Sequence, residues 1–169
     1  FPTRRSSDLN LAAALAKMKR TVLVIDLDPQ ANATTGLGLQ RQEGISLYPA
    51  LMGAAHIADM IQPTAYENLN IVPSEVNLAG AEIEIARKGN HLSVVRDILG
   101  QIREAKAFDY ILLDCPPSLG ILMTASLAAA DGIIVPMQAE YYALEGLSVI
   151  TDIIEQLRTN GANPDLTLN

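Results

Sequence analysis

An α/β fold built around a parallel sheet is what the sequence predicts, and three observations predict it. Four short runs, TVLVID at 21–26, NLNIVP at 68–73, DYILLD at 109–114 and GIIVP at 132–136, are rich in branched apolar residues and too continuous to be half exposed. That is the pattern of strands buried on both faces. Amphipathic helical patterns alternate with these runs, as the connections of a parallel sheet require. The 169 residues are 49% hydrophobic and 18% charged, enough apolar material for one packed core with helices on both faces of the sheet.

The first nine residues, FPTRRSSDL, share neither the composition nor the periodicity of the rest of the chain. Residues 1–9 are therefore expected to be a non-native leader, similar to translated adapter or vector sequence, with a natural disordered N-terminus as the alternative. From Asn10 the chain turns alanine-rich and helical, with Leu11, Ala14, Leu15 and Met18 on one side. The run 21–26 is a strand that empties into a polar, glycine-punctuated loop, DPQANATTGLG. Residues 40–67, with Pro49, Gly53 and Pro63, are expected to form short helices and connections. The run 68–73 is the next strand. Residues 91–103 form a helix with Leu92, Val95, Leu99 and Ile102 on one face, and residues 142–158 another with Leu144, Leu147, Ile150, Ile154 and Leu157. The runs 109–114 and 132–136 complete the strands, and Leu166 to Leu168 begins one more. Both ends read as truncated, so residues 10–169 are expected to be part of a larger domain.

Charge and cysteine content exclude several classes. With 12 basic against 19 acidic residues the formal charge is −7, which disfavours a broad electrostatic grip on phosphate backbones. A single cysteine, Cys115, allows no intramolecular disulfide, and no cysteine and histidine cluster has metal-ligand spacing. A reducing, cytoplasmic compartment is the simplest expectation. No apolar run approaches the roughly 20 residues that span a bilayer, and no signal peptide is apparent.

In an open parallel sheet, ligands bind beyond the carboxyl ends of the strands. Two of the runs end there in aspartate. TVLVID ends in Asp26 and continues to Asp28; DYILLD ends in Asp114 and continues through Cys115, Pro116 and Pro117. A hydrophobic strand ending in a carboxylate is the shape of a Walker B element, where hard oxygen supports Mg²⁺. Either aspartate taken singly reads equally well as the cap of a following helix; two in one short chain favour a site. The usual partner of such a site, a G-x-x-x-x-G-K-[ST] loop whose N–H groups cradle phosphates, occurs nowhere in these residues.

The stretches NLAAALA (10–16), VLVIDLDPQANATTGLG (22–38), DYILLDCPPSLGIL (109–122), ASLAAADGIIVPMQAEYYALEGL (125–147) and QLRTNGANPDL (156–166) closely resemble the ParA/Soj family of deviant Walker-A partition ATPases. DLDPQ and QAEYYALEGL separate the chain from MinD-type, nitrogenase iron protein and Mrp-type relatives of the same fold. The resemblance implies an incomplete P-loop NTPase-like fold of SIMIBI type. In the family a KGGVGKTTT-type loop and a strand precede NLAAALA, and a further C-terminal portion completes the adenine pocket and carries basic DNA-binding residues. The preceding strand is expected beside 109–114, so that without it this chain presents an unpaired hydrophobic edge.

The resemblance also implies roles. Asp28 matches the residue that positions the attacking water. Asp26 matches the preceding aspartate, expected in the metal's outer shell or against the phosphate loop. Asp114 matches the Walker B residue that holds Mg²⁺ through water. Pro116 and Pro117 match the second switch, and Glu140 faces nucleotide or the dimer partner, with a surface or capping role as its alternative. ATP and Mg²⁺ are the implied cofactors. The implied partners are a second copy in the ATP-bound state, a ParB-type protein and non-specific DNA, with no membrane and with nucleoid association in the cytoplasm. Three functions stand at this point: a partition ATPase for chromosome or plasmid, a non-catalytic fragment of one, and a related positioning ATPase for another cargo. Cys115 reads as a small filler and His56 and His91 as surface or capping residues. Tyr141 and Tyr142 read as core-packing residues with wet hydroxyls.

Overall fold

The computed structural model describes residues 7–89, 91–136 and 141–168, with the backbone alone for 141–145. Its centre is β1 (Val22–Asp26), whose five residues are all buried. β3 (Leu69–Val72) lies parallel on one side and β4 (Tyr110–Asp114) parallel on the other. A two-residue strand, β2 (Gln62–Pro63), adds antiparallel to β3, giving the order β2-β3-β1-β4. A separate parallel pair joins β5 (Gly132–Ile133) to β6 (Thr167–Leu168).

Side chains alternate across β1 as the pleat demands. Leu23 and Ile25 enter one cluster with Leu47, Leu78, Leu99 and Leu122, from α3 (Leu47–Met52), α4 (Leu78–Lys88), α5 (Val94–Arg103) and α6 (Ile121–Ala129). Val22 and Val24 point the other way, into a cluster with Ala12 and Ala16 of α1 (Ser7–Lys17) and Ala33 of α2 (Asn32–Gly36). The sheet is thus covered by helices on both faces. A third cluster forms where Leu127 and Ala128 of α6 meet Ile154 and Leu157 of α7 (Tyr141–Thr159) and Leu166. Each fully buried leucine of these clusters contributes about 2 kcal/mol by removal from water.

A clasp sets the register of β1 against β4. Asp109 accepts from the Thr21 amide at 2.8 Å and the Thr21 hydroxyl at 3.0 Å, and its own amide donates back to the Thr21 hydroxyl at 3.0 Å. Five residues further on, that register sets Asp26 directly beside Asp114. On the other side of the sheet, Glu82 of α4 accepts from the Leu122 amide at 3.0 Å and so caps α6. Gly120 makes room for it, because a Cβ there would overlap the Glu82 carboxylate.

Several sequence expectations are corrected. Leu11, Ala14, Leu15 and Met18 do not form the buried face of α1: Met18 is 71% exposed and Ala12 and Ala16 are buried instead. Small methyl groups let the helix approach the sheet, and Leu9 and Leu15 close the flanks. The helix starts at Ser7, ahead of Asn10. The run 132–136 is a strand only over its first two residues, and Ile134 is 61% exposed. β4 is half-buried, not sealed on both faces, because it ends its sheet. β2, α4 and α6 had no sequence signal assigned to them. His56 caps a 3₁₀ turn at Ile57–Met60, accepting from the Ala58 amide at 3.2 Å. No helix among the described residues is long and apolar enough to cross a membrane.

The Thr21 donors and Arg20 hold the Asp109 carboxyl below its ordinary value of 3.8. A depressed carboxylate stabilises the fold above its unfolded pKa and loses that contribution as pH falls through the folded one. Asp109→Asn is therefore expected to lower the urea midpoint at pH 7, with the difference from the parent chain closing below pH 3.8. Urea melts at several pH values check it; a constant difference would contradict the clasp.

Candidate functional site

At the carboxyl end of β1 the chain must place a charged group, Asp26, where no solvent reaches it: the residue is 0% exposed. A buried carboxylate is tolerable only when its oxygens are hydrogen-bonded. One oxygen accepts from the Asp28 amide at 3.1 Å; the other accepts from the Thr34 amide at 2.8 Å and hydroxyl at 2.6 Å. The Thr34 hydroxyl in turn accepts from the Ser74 amide at 2.9 Å, tying the loop after β3 into the same network. Burial still pushes the Asp26 carboxyl above its ordinary value, with the three donors opposing and Asp28 adding to the rise. All of this occupies Asp26 with its own loop.

Asp28 is left free for other work. Half-buried, it accepts from the Gln30 amide at 2.9 Å and faces a large cavity. Its loop passes through Ala31, whose φ of 53° and ψ of 42° lie in the left-handed region, a conformation costing about 1 kcal/mol for a residue with a Cβ. Such strain persists where surrounding bonds over-determine it, and here the Asp28 carbonyl accepts from the Ala31 amide at 2.8 Å while Thr34 anchors the far side.

Asp114 sits across the ladder from Asp26, and its carbonyl accepts from the Leu27 amide at 2.9 Å. Its carboxyl is pushed up to about 7, first by burial, then by the charges of Asp8, Asp26 and Asp28. Asp8, in the first turn of α1, was not singled out in the sequence; burial raises it too, and one of its oxygens is buried without a hydrogen-bond partner among the described residues. Pro116 is buried and Pro117 exposed, and both line the same cavity as Asp8, Asp28 and Asp114. Glu140 lies outside the described residues. Cys115 is a half-buried thiol pushed up to about 11 by burial, inert at neutral pH.

Sequence reasoning also missed Thr34, Ser74 and Glu75. Glu75 is buried and accepts from the Gly44 amide at 2.9 Å and the Ser46 hydroxyl at 2.8 Å, pinning a second loop at this end of the sheet. A signal was present in PSE directly after the strand at 69–72, since polar residues at a strand's carboxyl end are candidates by position.

The carboxylate side fits a hydrated Mg²⁺. That ion keeps several waters and takes one or two carboxylates, and a cation would relieve the mutual repulsion that raises Asp114. A dry cage is not present: no group of three or more His, Cys, Asp or Glu among the described residues has the geometry to hold a metal. The phosphate side does not fit, because these residues contain neither a glycine-rich loop nor its lysine.

A parallel sheet clad on both faces, with carboxylates at two adjacent strand ends, defines the class: the P-loop ATPase fold of the ParA and MinD type. The sequence matches the AAA domain family over residues 4–168, and the chain belongs to that family, within its ParA/Soj branch. It is 43% identical to the chromosome partitioning protein ParA of Myxococcus xanthus, over 98% of this chain and 58% of that one. It is 38% identical to the sporulation initiation inhibitor protein Soj of Bacillus subtilis, over 98% of this chain and 64% of that one. Among solved structures, cobyrinic acid a,c-diamide synthase from Mycobacterium smegmatis, with bound ADP and magnesium, superposes with a TM-score of 0.89 at 31% identity. That superposition covers 97% of this chain and 66% of the synthase. The chain thus spans about three fifths of the length of these curated relatives.

The geometry makes two tests available. Thr34→Val removes a donor to a buried carboxylate and the acceptor of the Ser74 amide, and should cost about 2–3 kcal/mol in denaturant unfolding; Thr34→Ser should stay close to the parent. For Asp114, the native state holds a proton between 3.8 and about 7 that the unfolded state has lost, so stability falls as pH rises through that window. Asp114→Asn should then melt higher than the parent at pH 8, by about 1–2 kcal/mol after allowance for its partial exposure. The advantage should vanish near pH 4, and thermal melts across the window read it directly.

Proposed function

We propose that the chain carries the switch half of a ParA/Soj-type partition ATPase. The observation that supports this most is the adjacency of Asp26 and Asp114 across β1 and β4, with Asp28 launched from the same strand end. In this reading Asp28 accepts a hydrogen bond from the attacking water and orients it, the role of a positioned carboxylate in phosphoryl transfer. Asp114 holds Mg²⁺ through water. Asp26 keeps the Asp28 loop in place through Thr34, and its contact with nucleotide is indirect. Pro116 and Pro117 stiffen the segment after β4 as the second switch, and Glu140 contacts nucleotide or the second copy.

The wider function belongs to the same proposal: ATP and Mg²⁺ as cofactors, an ATP-bound homodimer, non-specific DNA and a ParB-type partner. The setting is the cytoplasm, with nucleoid association, and the cargo a chromosome or plasmid. The names of the relatives support partitioning; the ADP and magnesium of the synthase structure support the cofactors. A second reading is favoured by the lack of a phosphate loop within these residues: on its own the chain is non-catalytic, without the N–H array and lysine that make phosphate binding favourable. A positioning ATPase for another cargo is the same chemistry put to a different use.

One pair of measurements tests both. Calorimetric titration of the chain with Mg-ATP is expected to show no affinity in the micromolar range. Placing a strand and a KGGVGKTT-type segment ahead of Asn10 is expected to confer Mg²⁺-dependent ATP hydrolysis, which Asp28→Ala then lowers by about 100-fold or more while nucleotide binding persists. Turnover indifferent to Asp28 would refute its assigned role.

A further inference from the structure

Beyond α2 the chain throws out a largely exposed arm, residues 39–43, between two glycines in the left-handed region. Gly38 has φ 84° and Gly44 φ 80°, and a Cβ at either would meet nothing, so both are there for the bend. The arm is pinned where it leaves and where it returns. The Leu39 amide donates to the Thr34 carbonyl at 3.1 Å, and the Gly44 amide donates to the buried Glu75 carboxylate at 2.9 Å. From the middle of this arm Arg41 turns back, and its guanidinium donates to the Gln30 carbonyl. A long cation on a bracketed arm thus grips the backbone two residues past Asp28.

The peptide it grips is the one that carries the strain. Residues 28–31 form a turn with Pro29 at its second position, closed by the Ala31 amide donating to the Asp28 carbonyl at 2.8 Å. Gln30 supplies the carbonyl of that same peptide unit, so Arg41 holds one end of the unit while the turn bond holds the other. On its far side Ala31 is fixed by α2, because its carbonyl accepts from the Thr35 amide at 3.1 Å and the Thr35 hydroxyl at 2.9 Å. The left-handed φ of 53° at Ala31 lies between these two fixed peptides. Rotating the Gln30–Ala31 peptide by half a turn relieves that angle, and it breaks both the turn bond and the Arg41 contact. Such a unit has two states, strained and closed or relaxed and open.

We propose that Arg41 is a latch on this peptide and thereby a positioning residue for Asp28. It keeps the turn closed against the strain at Ala31, which keeps the Asp28 carboxylate on the Gln30 amide and facing the cavity. The arm between Gly38 and Gly44 is the lever that carries it. The positioning role rests on the reading of Asp28 as the residue that orients water; the latch itself does not.

Amide hydrogen exchange on the intact chain tests the latch. The Ala31 amide is in a residue with no exposed surface, and Arg41→Met is expected to speed its exchange about tenfold, the loss of one charge-assisted bond. The Thr34 amide, held by Asp26 on the other side of the loop, should exchange as in the parent. Arg41→Lys, a cation without the fork, should fall between. Ala31→Gly added to Arg41→Met should restore slow exchange, since glycine takes the left-handed angle without strain. Unaltered exchange at Ala31 in Arg41→Met would overturn the latch, as would equal loss of protection at Thr34, which marks general loosening. In the chain extended with a KGGVGKTT-type segment, Arg41→Met should lower kcat about fivefold with KM for ATP unchanged, and Ala31→Gly should recover it. Unaltered kcat there, with Asp28→Ala still inactivating, would overturn the positioning role; if Asp28→Ala were equally silent, the reading of Asp28 would fall and the positioning role with it.

Discussion

The structure depends on hiding a charge. Asp26 stands at the end of the central strand, wholly enclosed, and the donors that make this tolerable come from the loop that follows it. Thr34 supplies two, the Asp28 amide a third, and Ser74 completes the circuit through the Thr34 hydroxyl. A loop with no apolar core of its own thereby acquires one shape, because any other would strand a carboxylate in low dielectric. The left-handed Ala31 is held by the same obligation. Asp28 is the beneficiary: its backbone is fixed while its side chain still faces the open cavity.

Strand positions were legible because continuous branched apolar runs have one economical use in an α/β chain. β1 and β3 obey that rule closely. It fails at β4 and β5, since exposure there depends on what lies alongside, which composition of the strand itself does not encode. Helix faces were harder. In α1 the eye is drawn to Leu11 and Met18, yet alanine does the packing, because close approach to a sheet rewards small residues. The aspartates were legible as a pair from their place at strand ends. Their division of labour was not: that Asp26 is spent on its own loop while Asp28 and Asp114 look outward is decided by Thr34, eight residues downstream, and by Ser74, beyond another strand.

Electrostatically the site is one-sided. Asp8, Asp26, Asp28 and Asp114 gather around one end of β4, and Asp114 answers by holding its proton to about 7. Such an arrangement is costly by itself and becomes favourable when positive charge arrives, whether as a hydrated cation or a basic side chain.

The contact between Glu82 and Gly120 carries a consequence for how the sequence can drift. Glu82 caps α6 only because position 120 has no side chain, and Gly120 is required only because Glu82 is there. Alone, Gly120→Ala forces the carboxylate away from the Leu122 amide and leaves the helix uncapped. With Glu82 already shortened, the same alanine is relieved of its three nearest contacts and regains the backbone order that glycine lacks. The two positions are therefore epistatic with a change of sign, and among related sequences a residue larger than glycine at one should arrive together with loss of the glutamate at the other.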